Sequence, residues 1–462
     1  MSGTGGLALC CSFALLLLAG RSAARNNTNP QYGLQSRPSA SPFLGMPRND
    51  AGPFPARLSQ TGAFKNAREL LPADALIPYD INVSFYSDGA AKQRWVSVPR
   101  QDSATASKVR FTATGDWQFP DGTVFVKHFE IATDETHPEI RRRLETRLLV
   151  RQANGGVYGV TYKWRPDNSD ADLLATNLTE RIEVHTATGV RTQTWYYPSR
   201  SDCRTCHSSN AGGVLGLKTR QMNRAVAYPG GVVDNQLRTW NHIGLFETAL
   251  KESDIPLFSR LAPANDVSRS VEDRARSYLD VNCAYCHRPG GTVAYFDARY
   301  DTPLEKQGLI NGQVLIDEGL DKARVIAPND PWRSVALLRV STLEGLRMPP
   351  LAHETLDQHG VELLRNWIAS LPGPKVLPPP TFSSKGATEK RPFELRLAHP
   401  DSQAAIHYTL DGTAPTMEDL LYNGPINISE STTVRARAFR AGYTKSITVQ
   451  ETFVFPTAAT KH

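Results

Sequence analysis

Two pentapeptides concentrate the reactive residue types of this chain: Cys203-Arg204-Thr205-Cys206-His207 and Cys283-Ala284-Tyr285-Cys286-His287. Each reads Cys-x-x-Cys-His, the signature for covalent c-type haem attachment. Two thiols three residues apart on one helical turn can each add to a haem vinyl group. The His that follows then lies under the iron and offers it an imidazole nitrogen. The sequence therefore predicts two covalently attached c-type haems, with His207 and His287 as iron ligands. Zinc knuckles are normally spaced by about 15–20 residues, whereas 76 residues separate Cys206 from Cys283. A thioredoxin-like dithiol needs a βαβ context and has no use for His twice.

The sixth ligands come from elsewhere. Arg347-Met348-Pro349-Pro350 follows the second motif, its loop backbone restrained by two prolines. A Met loop behind a haem helix can bring a thioether to the far face of the iron, and His/Met ligation raises the reduction potential relative to His/His. Met348 is the candidate there; the bland reading of a lone Met is core filling. For the first haem the candidates are Met222, 15 residues after His207, then His242 and His128. An open site is the alternative, and it decides the chemistry: a six-coordinate iron only carries electrons, while an open one binds peroxide or another small ligand.

Cysteine usage ties this chemistry to a compartment. Six cysteines occur in 462 residues; Cys10 and Cys11 fall in an apolar run over 7–20, and the other four are all in the two motifs. That run is too short for a spanning helix and reads as a signal-peptide core, with Ser22 and Ala24 as the small residues of a cleavage site near Arg25. Export to an oxidising compartment, periplasmic or secreted, would pair free thiols as disulfides; here no cysteine is left over for a bridge. Lys and Arg exceed Asp and Glu by 52 − 46 = 6. That surplus is too dilute to argue for nucleic acid, and no compact basic run appears. No second long apolar run occurs, so no membrane span is expected in the mature chain.

These residues need elements to hold them. The expected organisation is a signal peptide at 1–24, a flexible arm or linker rich in Asn, Pro, Ser and Gly at 25–74, and a β-rich domain at 75–198. In 157–164 the residues Tyr158, Val160, Tyr162 and Trp164 share one face, as a half-buried strand requires, and Asn154-Gly155-Gly156 is a hairpin signal before it. Strands are also predicted over 123–131, 144–152 and 191–197. Helical signals follow: a first haem-attachment region at 199–262, then a domain at 263–373 with helices over 271–281 and 360–371. A Pro-rich linker at 374–388 leads to a β-sandwich module at 389–462. The fold class expected is multidomain α+β: β-rich, then a mostly α-helical dihaem region, then an Ig-like sandwich.

Three stretches resemble known families. The segments 276–291 (RSYLDVNCAYCHRPGG), 328–350 (PNDPWRSVALLRVSTLEGLRMPP) and 361–371 (VELLRNWIASL) together look like a class I cytochrome c domain. That likeness implies His287 as proximal and Met348 as distal ligand. The longer span 78–371 resembles a family of exported bacterial dihaem c-type cytochromes, through Pro78-Tyr79-Asp80-Ile81-Asn82, Phe85-Tyr86-Ser87-Asp88-Gly89-Ala90, Phe119-Pro120-Asp121-Gly122-Thr123 and Glu145-Thr146-Arg147. Leu is common in that family where this chain has Met222. Residues 405–446 are similar to the Ig-like module at the C-terminus of chitobiase-type hexosaminidases, through Tyr408-Thr409-Leu410-Asp411-Gly412-Thr413 and Leu421-Tyr422-Asn423-Gly424-Pro425. No catalytic carboxylate pair accompanies it, so no glycosidase activity is inferred.

The function expected from sequence is an exported dihaem c-type cytochrome carrying single electrons between redox partners. Two rivals stand beside it. One is a peroxidase-like dihaem oxidoreductase with an open first haem. The other is a haem-bearing protein whose C-terminal module docks a protein or a glycan.

Overall fold

A computed structural model describes residues 31–100, 107–292 and 294–456. The expected signal peptide, with Cys10, Cys11 and the cleavage site near Arg25, lies outside the described residues. No helix of the described residues is long and apolar enough to cross a membrane.

The N-terminal half is built on a six-stranded antiparallel meander: β1 (Ile77–Pro78), β2 (Ala91–Ser97), β3 (Val124–Ala132), β4 (Arg141–Arg151), β5 (Val157–Trp164) and β6 (Ala171–Leu173), each paired with the next. Alternation along each strand sends apolar side chains to both faces, and both faces are covered. Tyr158, Val160, Tyr162 and Trp164 of β5 join Val124 and Val126 of β3 and Leu148 and Val150 of β4 in one core. Phe125, Val96 and Ile77 enter a second core on the opposite face, against Trp117, Trp240 and Phe246. Gly155, with φ of +80°, makes the tight turn between β4 and β5. The hairpin β7 (Leu178–Thr186) and β8 (Gly189–Tyr197) packs Ile182, Val184, Trp195 and Tyr197 against Phe129 and Leu144.

The segment before the sheet is no loose arm. Phe43, Met46, Leu58, Ala63 and Phe64 are buried in the first core, and Phe43 N donates to Gly122 O at 2.8 Å. Its polar, Pro-rich composition hides a few apolar anchors spaced too irregularly to show a period.

The helical expectation for 199–373 is corrected. Strand makes up 28% and helix 16% of the described residues. The region holds α1 (Arg200–Cys206), α2 (Thr219–Met222), α3 (Gln236–His242), α4 (Val271–Asn282), α5 (Val335–Val340) and α6 (Gln358–Ser370). Only α4 and α6 exceed two turns, and no mostly α-helical domain results. The intervening chain is fixed instead by side chains that satisfy loop backbone. Asn223 Nδ2 donates to Ile255 O and Phe258 O, and Gln236 Nε2 to Asp80 O and Met222 O. The two longer helices lie at the expected places. Ser270 and Asp357 cap them, accepting from the backbone N–H of Asp273 and Gly360. Ala275, Tyr278 and Leu279 of α4 bury against Val361, Leu364 and Ile368 of α6.

The C-terminal module is a small sandwich. Leu420–Leu421, Ala405–Thr409, Thr432–Phe439 and Val449–Phe453 form one antiparallel sheet, and Phe393–Leu395 pairs with Ile426–Ile428 across a core of Ile406, Val434, Ala436 and Phe453. It is docked on the preceding region. Arg333, 3% exposed, pairs with Asp330 and Asp321 and donates to the carbonyls of Lys445 and Ser446. Arg437 reaches the other oxygen of Asp321 at 2.6 Å. The Pro-rich linker is pinned as well: Leu377 is buried and its N–H donates to Thr444 O.

Candidate functional site

The first Cys-x-x-Cys-His segment is set by a strand, a cap and a glycine. β8 delivers the chain to Ser199, which caps α1. Ser199 Oγ accepts from Asp202 N, while Asp202 accepts from Ser199 N and from the Tyr196 hydroxyl, both at 2.8 Å. α1 then lies on β5 at Gly159. A Cβ at that position would stand 2.8 Å from both Cβ and Sγ of Cys203, so only glycine lets the helix approach this closely. His207 ends the helix. Its ring Nδ1 is 2.7 Å from Gly213 O; a carbonyl accepts only, so Nδ1 carries the proton and Nε2 keeps its lone pair. Burial pushes His207 down to about 4, so the ring is neutral at pH 7.

The second segment leaves the end of α4. Cys283 and His287 continue helical hydrogen bonds, and the His287 ring stacks on Phe296 at 4.3 Å. Its Nδ1 is buried without a hydrogen-bond partner, and burial lowers its pKa to about 4. The two segments adjoin. The Asn210 side chain, after the first, donates to Gly290 O, after the second. Burial, then the neighbouring Cys286, push the Cys206 thiol up to about 12, and Cys283 is likewise pushed to about 12, chiefly by burial. Cys203 and Cys286 are also raised by burial. All four are unpaired thiols at neutral pH and weak nucleophiles. Thiol–disulfide exchange, which needs thiolate, is disfavoured.

Between the segments and the sheet opens a cleft of about 1650 Å³, open solvent at its mouth included. Cys203, Cys206 and His207 line one wall, Ala284 and Tyr285 of the second segment with Arg288 just beyond it another, and Pro349, Pro350, Leu351 and Ala352 a third. Phe85, Phe125, Leu149, Val214 and Leu217 make much of the rest apolar. The floor carries a row of cations that no local pattern announced: Arg94, Lys127 and Arg147 are direct cross-strand neighbours on β2, β3 and β4. Like charges directly opposite destabilise a sheet. Arg94 is offset by Asp80 at 3.0 Å and Arg147 by Glu145 at 2.5 Å, while Lys127 pairs with no carboxylate among the described residues and leans over the Phe129 ring. Burial and the flanking cations hold its pKa well below the usual lysine range. Such a cleft suits a ligand with an apolar body and an anionic edge. The sequence signal that could have found the row was one basic residue beside the apolar run of each strand: Arg94 before Trp95-Val96, Lys127 after Val124-Phe125-Val126, and Arg147 before Leu148-Leu149-Val150.

The expected ligand set does not assemble. Met222 is fully buried in the second core with Trp117, Leu237 and Trp240 and is not part of the cleft wall. His128 sits next to Lys127 in β3 and so points to the other face, where Trp164 Nε1 donates to its Nδ1 and Glu130 faces its Nε2. His242 stacks on Tyr32 at 3.6 Å, away from the cleft. Met348 is half-buried, its N–H donating to Arg339 O, and it is absent from the cleft wall although its neighbour Pro349 lines it. Among the described residues no group of three or more His, Cys, Asp or Glu side chains could hold a metal ion. The cofactor expectation of two covalently attached haems, with iron on His207, His287, Met348 and Met222, is corrected accordingly.

Comparison with known proteins reaches one part of the chain. Residues 384–451 match the family model described as the chitobiase/beta-hexosaminidase C-terminal domain. No curated protein and no solved structure matches the chain.

Proposed function

We propose that the chain is an exported electron carrier, working where its two Cys-x-x-Cys-His segments meet at the cleft. The observation that carries the reading is the adjacency of the segments. Three residues of the first (Cys203, Cys206 and His207) and two of the second (Ala284 and Tyr285) wall the same cleft. The apolar run at 7–20 supports export.

The test is protein-film voltammetry of the full chain beside the double variants C203A/C206A and C283A/C286A. A reversible one-electron response that each variant abolishes or shifts supports the reading. A silent wild-type chain, or a response indifferent to both variants, overturns it. The family match at 384–451 favours a second, separable role for the C-terminal module in docking a glycan or a protein. Retention of the full chain on immobilised chito-oligosaccharide would support the glycan; passage without retardation removes it.

A further inference from the structure

The loop between β1 and β2 crosses from the sheet to the segment that ends at α6. Its backbone is unusual: Ser87, Asp88 and Gly89 take φ of +45°, +53° and +75° in succession. Two consecutive non-glycine residues in the left-handed region are strained and persist only where surrounding contacts impose them. Those contacts are here. Asp88 Oδ1 accepts from Glu354 N at 2.6 Å and Thr355 N at 2.9 Å, and the Thr355 hydroxyl adds a third bond at 3.3 Å. The Tyr86 hydroxyl donates to Leu356 O at 3.0 Å, and Tyr86 N donates to Asn282 Oδ1. Behind the loop, Lys92 Nζ donates to the carbonyls of Phe85, Tyr86 and Ala90, and Gln193 Nε2 to Asp88 O.

Both partners of this contact border the cleft. Phe85 and Ser87 line it from the loop, and Pro349 to Ala352 line it immediately before the residues that Asp88 grips. We propose that Asp88 is a positioning residue: it clasps the 354–355 backbone and so holds the Pro349–Pro350–Leu351–Ala352 wall against the sheet, closing one side of the cleft. A buried carboxylate accepting two backbone N–H groups is a strong, directional joint, because charge-assisted bonds are roughly twice as strong as neutral ones. The joint spans 266 residues of sequence, so besides holding the loop it ties together two walls that the chain itself does not connect.

Hydrogen–deuterium exchange on the full chain tests it, comparing wild type with Asp88→Asn, Asp88→Ala and Tyr86→Phe. Asn keeps a neutral acceptor, Ala none. Exchange across 349–357 is expected to rise by roughly tenfold in Asp88→Ala, less in Asp88→Asn and Tyr86→Phe. It should spread to the facing cleft wall at 203–217 while 405–453 stays protected. Unchanged exchange at 349–357 overturns the proposal. So does a uniform rise that includes 405–453, which would mark a merely global loss of stability. A rise at 349–357 that never reaches 203–217 also overturns it, since the clasp would then not govern the cleft.

Discussion

Gly360 occupies the first turn of α6 where it crosses α4, and the crossing tests whether packing or propensity governs this site. Replacing Gly by Ala inside a helix normally stabilises by up to about 1 kcal/mol. At 360 the added methyl would stand 2.5 Å from Cε2, Cζ and Oη of Tyr278. That is about 1 Å inside ordinary carbon contact. Tyr278 is buried at 7% exposure among Leu279, Val361 and Leu364, so its ring cannot swing clear. Overpacking of this kind costs about 1–3 kcal/mol. The propensity gain is reduced in a first turn, where the Gly360 N–H is already capped by Asp357 at 3.0 Å. Gly360→Ala should therefore destabilise by about 1–2 kcal/mol, read as a lower urea midpoint with unchanged slope. Adding Tyr278→Leu to Gly360→Ala should recover part of that loss, giving a favourable coupling of about 1 kcal/mol in the double-mutant cycle. A midpoint equal to or above wild type for Gly360→Ala would show that the helices separate without cost and refute the reasoning. Because α4 leads into Cys283, the same variant should shift any redox response assigned to the second segment.

Four further outcomes follow from the contacts described. Lys127→Met removes the middle cation of the Arg94–Lys127–Arg147 row and should stabilise the chain by up to about 1 kcal/mol, read as a higher urea midpoint; a lower midpoint would mean the row is not repulsive. Gly159→Ala forces α1 off β5 at Cys203 and should cost about 1–3 kcal/mol, with altered near-UV dichroism as the readout. Arg333→Met leaves Asp321 and Asp330 without their buried partner; a loss of about 3–5 kcal/mol is expected, with faster proteolysis within 374–388. Burial holds the His128 pKa below its ordinary value of 6.5. The folded chain thus binds fewer protons than the unfolded one as pH falls through 6.5, and stability should decline from pH 7 toward pH 5. His128→Asn should lessen that slope in urea unfolding, the remainder coming from His207 and His287, whose pKa values are also depressed by burial; an equal slope would leave His128 no share in the decline.

What the sequence could express was whatever repeats locally. The alternation in 157–164, the hairpin at Asn154-Gly155-Gly156, and the apolar spacing of α6 all correspond to elements at those positions. Local pattern does not reveal which side chain faces which cavity. Met222 looked like a ligand because it follows His207 closely; it is a core residue because α2 is a single turn whose buried side meets Trp117 and Trp240. The helical weight of 199–373 was overestimated because its loops are held by long-range bonds from Asn82, Asn223 and Gln236, which leave no periodic trace. The cleft combines residues from 79 to 352, so no window contains it. The Cys-x-x-Cys-His segments themselves were fully legible; the partners around them were not.

The docking of the C-terminal sandwich through Arg333, Asp321 and Arg437 has a mechanical consequence. A module on a slack tether would let its cargo wander, decoupling whatever it grips from the rest of the molecule. Here two buried guanidinium groups share one carboxylate across the joint, so a partner seated on the sandwich would be held at one bearing and one range from the cysteine-lined cavity. With a partner bound, the sandwich would act as a jig rather than a leash: recognition at one end would fix the angle of approach at the other.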